Sequence, residues 1–226
     1  MKNREIILDI YKKLYAHFGP QHWWPAKSSF EVMVGAILTQ NAAWSNVEKA
    51  IHNLKKKKLL SPERMRVTPL SRLAGLVRPS GFYNEKARKL KTFVRFLKRL
   101  SGGDIKKLQK YSMPELRERL LGVKGIGEET ADSILLYAVH KPVFVVDAYT
   151  KRIFSRHGLM VKDASYSSAQ AFFMDNMPKQ EKLFNEYHAL IVETGKKYCK
   201  KRKPKCNLCP LSGLKRDIGL YEKFSI

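Results

Sequence analysis

The segment Leu120-Leu-Gly-Val-Lys-Gly-Ile-Gly-Glu-Glu-Thr-Ala131 constrains this chain more than any other stretch. An apolar helix end runs into a turn with glycines at 125 and 127, then directly into a helix whose inner face is Ala131, Ile134, Leu135 and Ala138. Glycine turns tightly and has no side chain to hold a ligand away. The amides of the turn, and of the first turn of the next helix, can therefore point at a phosphate. Such a hairpin binds nucleic-acid backbone without reading bases, although a plain structural turn would satisfy the same pattern. Lys124, Gly125, Gly127 and Thr130 are its candidate DNA contacts.

Helix signals dominate the rest. Ser28-x-x-Glu31 and Ser45-x-x-Glu48 read as capping boxes, followed by apolar stripes at Phe30, Met33, Val34, Ile37 and Leu38 and at Val47, Ala50, Ile51 and Leu54. Further helices are predicted at roughly 85–100, 114–121, 128–139, 147–158, 166–175 and 180–197, separated by Gly, Pro and Ser. No run alternates apolar and polar residues as a strand would, so the expected class is all-α. A chain of 226 residues, 44% apolar, can hold one large or two small domains.

Charge narrows the partner. Lys and Arg number 44 against 20 Asp and Glu, a net +24, which attracts polyanions and makes their binding salt-dependent. Nucleic acid is the leading candidate. An anionic membrane would suit the same charge, but no long uncharged apolar run and no signal-peptide core is present, and the expectation is a soluble, cytoplasmic protein. The three cysteines, Cys199, Cys206 and Cys209, lie within eleven residues, an arrangement that suits a metal or cluster loop better than a disulfide framework. Around them, seven of the ten residues from Lys196 to Lys205 are Lys or Arg, suited either to solvent or to phosphate.

After the hairpin, Lys141-Pro-Val-Phe-Val-Val-Asp-Ala-Tyr-Thr-Lys-Arg152 carries an apolar run to Asp147 at a helix start, where it can act as a cap. The hairpin, this aspartate twenty residues beyond Gly127, and Phe30-x-x-x-Val34-Gly-Ala-Ile-Leu-Thr-Gln40 together resemble the endonuclease III-like, helix-hairpin-helix-GPD family of DNA glycosylases over nearly the whole chain. The resemblance implies two helical lobes with a cleft between them: residues 28–137, with the hairpin motif at about 114–139, and residues 1–27 with 138–226, ending in the basic cysteine loop at 196–215. It makes Asp147 catalytic. Breaking the bond between base and sugar develops positive charge on the ring, which an ionised carboxylate stabilises while orienting or activating water. Bifunctional relatives place a lysine two residues after the last hairpin glycine. Here that residue is Glu129, which cannot form an imine, so hydrolysis without strand cleavage is expected; Glu129 also suits a first helical turn as a plain dipole partner.

His22-Trp23-Trp24-Pro25 and Trp44 flank the first capped helix. With Leu38-Thr-Gln-Asn41, Arg78-Pro-Ser-Gly-Phe-Tyr-Asn84 and Lys124-Gly-Ile-Gly127, they look most like the 3-methyladenine glycosylases of this family. By that resemblance Trp23, Trp24, Pro25 and Trp44 line a pocket for a flipped base, and Gln40 reaches into the gap the base leaves in the duplex. Glu129 and Glu193 are further pocket candidates. A cationic alkylpurine stacks well on electron-rich rings, and its weakened glycosidic bond needs little acid catalysis.

Cys199, Cys206 and Cys209 match three of the four ligands of the family's 4Fe-4S iron-sulfur loop; the fourth place is Lys215, with Ser212 and Asp217 as conceivable oxygen donors. A three-cysteine zinc site, or a remnant loop without a cluster, fits the same residues, and no cofactor is required for the chemistry. The expectation is a monomeric, monofunctional base-excision-repair glycosylase acting on an alkylated purine in double-stranded DNA. The alternatives are a glycosylase/lyase for oxidised pyrimidines or mismatches, and a DNA-binding homologue without catalysis.

Overall fold

The computed structural model describes residues 3–214, and Lys215 and Asp217 lie outside them. Among the described residues all regular structure is helical: α1 (Asn3–Phe18), α2 (Ser29–Leu38), α3 (Trp44–Lys56), α4 (Pro62–Val67), α5 (Leu70–Val77), α6 (Tyr83–Ser101), α7 (Met113–Leu121), α8 (Glu128–Ser133), α9 (Ala148–Arg156), α10 (Tyr166–Met174) and α11 (Glu181–Lys197). None of these is long and apolar enough to cross a membrane. Two compact units result, one of Trp24–Lys141 and one of the described residues up to Trp23 and from Pro142 onward.

In the Trp24–Lys141 unit, α2 is the central rod, buried from Phe30 to Leu38 and packed against α3, α6, α8 and the turn after α8. It starts where its capping box places it. Ser28 Oγ accepts from Glu31 N–H at 3.2 Å, and the Glu31 carboxylate reaches back to Lys27 N–H at 3.2 Å and across to Lys55 Nζ at 2.5 Å. The second capping box fails. Asn41 takes a left-handed backbone (φ 50°) and α3 begins at Trp44 with Ala43 as an uncapped N-cap, so Ser45 falls inside the first turn, where its hydroxyl cannot cap. Lys86 of α6 is buried; its Nζ donates to Leu38 O (2.8 Å) and Ser80 O (2.6 Å), fastening the end of α2 to the turn before α6.

The helix expected at 128–139 is interrupted. After Ser133 the backbone widens into a π turn, Ile134–Ala138, in which Val139 N–H donates five residues back to Ile134 O at 3.1 Å. Its side chains are all buried, so no single apolar stripe marks it.

In the other unit α1 and α9 pack against α11. The core is aromatic: Phe144 stacks on Phe173 (3.9 Å between centroids, 8° between planes), and Phe184 and Tyr187 meet Phe144 edge-on. Gly195 is glycine because a Cβ there would lie 2.2 Å from the Tyr149 ring, so only glycine lets α9 and α11 approach this closely.

Candidate active site and nucleic-acid interface

The hairpin closes from α7. Val123 N–H donates to Leu120 O (3.0 Å) and Ile126 N–H to Val123 O (2.9 Å), while the Val123 and Ile126 side chains are buried as its feet. Gly125 has φ +93°, and a side chain there would strike Lys89, 2.7 Å from its Cγ; Gly127 is extended, caps α8, and has nothing within 4 Å of where a Cβ would lie. Among the described residues no backbone carbonyl accepts from the Gly125 or Gly127 N–H, which leaves both donors for an incoming anion. Lys124, just before Gly125, is exposed. Beneath the motif, Arg117 grips buried Asp132 with two hydrogen bonds (2.7 and 3.1 Å), tying α7 to α8.

Gln40 lies against this hairpin. Its Nε2 donates to Gly125 O (3.1 Å) and to Thr130 Oγ1 (2.9 Å), and its Oε1 accepts from Lys89 Nζ at 2.5 Å.

Asp147 is the N-cap of α9. Its Oδ1 accepts from Thr150 N–H (2.7 Å) and Thr150 Oγ1 (2.9 Å), and its Oδ2 lies 3.7 Å from His188 Nε2 of α11. Burial alone would push this carboxyl up. The His188 imidazole and the two Thr150 donors outweigh it and hold the group below the ordinary aspartate value. The result is a carboxylate that is charged at neutral pH with little of its side chain open to solvent.

Trp24, Pro25 and Trp44 share a cavity of about 180 Å³ with Glu31, Gly35, Glu48, Ile51, His52 and Lys55. Trp24 meets Trp44 edge-on (5.3 Å, 82°) and Tyr137 at 60° and 5.3 Å, and Gly35 leaves room for the Trp24 ring, 3.0 Å from where a Cβ would be. The other pocket candidates are elsewhere. Trp23 belongs to the other unit, under Lys196 Nζ at 5.9 Å, and Glu193 is paired with Lys197 at 3.1 Å. Glu129 is exposed in the first turn of α8 and does not line this cavity.

Several residues went unread in the sequence. Glu48 and His52 follow Trp44 at helical spacing and line the cavity, a signal hidden by reading Glu48 as a capping residue. Phe82, inside the Arg78–Asn84 segment but given no role of its own there, is 73% exposed just before α6 on a left-handed backbone (φ 44°).

Cys199, Cys206 and Cys209 open on one small cavity with Arg156, His157 and Leu211. Arg156 Nη1 lies 3.2 Å from Cys199 Sγ and donates to Lys200 O (2.8 Å), Nη2 donates to Lys201 O (3.2 Å), and Arg152 Nε donates to Cys199 O (2.7 Å). Among the described residues no three His, Cys, Asp or Glu side chains converge closely enough to share a metal ion. A guanidinium beside the Cys199 sulfur favours its thiolate form, but three cysteines leave a fourth position without a thiolate. As arranged, these residues do not fit a closed four-ligand cluster, and two arginines organise the loop instead.

Residues 34–179 match the family described as HhH-GPD superfamily base excision DNA repair protein. A protein of Methanocaldococcus jannaschii that carries the name of a DNA repair glycosylase is 48% identical over 209 residues, 92% of this chain and 94% of its own. The crystal structure of an H. pylori 3-methyladenine DNA glycosylase bound to 1,N6-ethenoadenine is 30% identical and superposes with a TM-score of 0.75 over 87% of this chain and 98% of that one. A non-covalent endonuclease III–DNA complex, 24% identical, shares the fold with a TM-score of 0.81 over 96% of both chains.

Proposed function

Because the chain belongs to the HhH-GPD superfamily of base excision DNA repair proteins, as one of its DNA glycosylases, we propose that it hydrolyses the bond between sugar and an alkylated purine in duplex DNA and leaves the strand uncut. The observation that carries this reading is Asp147: a carboxylate only 12% exposed, held charged by Thr150 and His188 at the start of α9. Leaving of the base makes the sugar cationic. The Oδ2 of Asp147 faces that charge and takes a proton from the water that attacks the same carbon, so base and hydroxyl exchange with no covalent link to protein. Glu129 stands where a lysine would be needed for an imine, and a carboxylate has no nitrogen to form one.

The substrate class rests on the cavity between α2 and α3. Two indole rings edge-on to each other, with Glu48 beside them, suit a flat cation better than a neutral base. The 30%-identical H. pylori relative, by its description a 3-methyladenine glycosylase, points the same way. On the DNA side, the Gly125 and Gly127 amides and Lys124 bind backbone phosphate, and exposed Phe82 supplies an apolar wedge for the opened stack.

Asp147→Asn tests the assignment. Asparagine keeps the shape and an acceptor for Thr150 N–H but loses the charge. Single-turnover base release is expected to fall by roughly 10²–10⁴ while duplex binding holds or tightens. Release at the original rate would remove Asp147 from the chemistry.

A further inference from the structure

The cations of α6 have different uses. Lys86 Nζ is buried on two carbonyls, Lys91 Nζ donates to the carbonyls of Met65 (3.2 Å), Arg66 (2.5 Å) and Thr68 (2.5 Å), and Arg88 pairs with Glu85 at 3.1 Å. Lys89 is different. Its methylene stem lies against the bare Cα of Gly125 in the hairpin, 2.7 Å from where a Cβ would be, and its Nζ, 2.5 Å from Gln40 Oε1, meets a neutral amide rather than a carboxylate. The charge strengthens this bond but is not needed for it, and among the described residues no carboxylate pairs with Lys89. Gln40 in turn is fixed to the hairpin through Gly125 O and Thr130 Oγ1. The ammonium is therefore held by Gln40 while its stem lies on Gly125, and it has donors beyond the one Gln40 accepts.

We infer that Lys89 is a ligand for a DNA backbone phosphate: α6 lends the hairpin a cation in addition to its own Lys124, and Gln40 holds it in position. This rests on the reading of the hairpin as a duplex-binding element. Lys89 serves affinity and not sequence, since a phosphate contact carries no base information. It also gives Gly125 a second reason to be glycine, as the seat of the lysine stem.

The test is the salt dependence of binding to an undamaged duplex, followed by fluorescence anisotropy over a KCl series. For the unaltered protein, log K falls linearly with log salt. Lys89→Gln keeps a donor for Gln40 and removes the charge; its slope is expected to be shallower by about 0.9, with several-fold weaker binding at low salt. Lys12→Gln on α1 removes the same charge from an exposed site and is expected to leave the slope unchanged. A Lys89→Gln slope equal to that of the unaltered protein would make the lysine a prop for the hairpin and overturn the inference. Should Lys89→Gln lower the melting temperature, Lys89→Arg decides: it disturbs the stem on Gly125 but keeps the charge, so a retained slope assigns the effect to charge and a lost one assigns it to the fold. Absence of any salt-dependent duplex binding by the unaltered protein would sink the hairpin reading itself, and this inference with it.

Discussion

Lys86 shows how a single residue can carry opposing demands. Desolvation by burial, and then the nearby charge of Lys89, push its pKa down from the ordinary lysine value to about 8. Between about pH 8 and 10.5 the unfolded chain holds a proton that the folded chain has released, so raising the pH through that window adds stability from this group, on the order of 3 kcal/mol. The neutral amine still has two N–H groups, one for each carbonyl it serves. Denaturant unfolding of the wild type and of Lys86→Met is expected to show the wild type gaining on the variant as pH rises from 7 to 10. A constant difference would mean the amine is not held in the environment described. Asp147 is the opposite case, a buried group whose donors overcome burial. Its capping role was legible in the sequence, but His188, 41 residues away, was not, because nothing local marks which residue of a later helix will face a cap. Likewise the tryptophan segment was legible as aromatic, while the separation of Trp23 from Trp24 depends on where the chain leaves one unit for the other.

At the scale of elements, the hairpin was the most readable part of the chain, because its backbone needs glycine at a fixed place and its flanking helices announce themselves by period. The two glycines have different jobs, and substitution separates them. Gly125→Ala forces a side chain onto a backbone at φ +93° and into Lys89, and is expected to lower stability by about 1–2 kcal/mol from the backbone alone. Gly127→Ala meets open space at an ordinary φ; it is expected to leave the melting temperature nearly unchanged while weakening duplex binding, since the methyl group stands where a phosphate approaches. Equal thermal losses for both would contradict this division. Elsewhere local signals misled or went unused. Ser45 has the spacing of a cap but lies two residues past the N-cap, because the helix starts at Trp44 with Ala43 as its cap. Helices α1, α4 and α5 were missed, although Ile7, Ile10 and Leu14 form a buried stripe and Ser61 with Pro62 is a regular helix start. The π turn after α8 left no mark in the apolar pattern, which reads a buried α-helix and a buried π turn alike.

For the whole molecule, composition pointed to the partner and position to the chemistry. A net charge of +24 favours any polyanion, and the glycosylase reading comes instead from a few residues that do not add to that charge: Asp147, Glu129 and the indoles of Trp24 and Trp44. On the function proposed here, those residues cleave with water, on an alkylated purine, and leave the sugar-phosphate strand whole. The direct measurement is incubation with duplexes carrying either 3-methyladenine or an oxidised pyrimidine, with the strands resolved before and after alkali. Free 3-methyladenine, with breakage only after alkali, is the expected result. Release of the oxidised pyrimidine with breakage before alkali would contradict it and require an amine nucleophile in place of water.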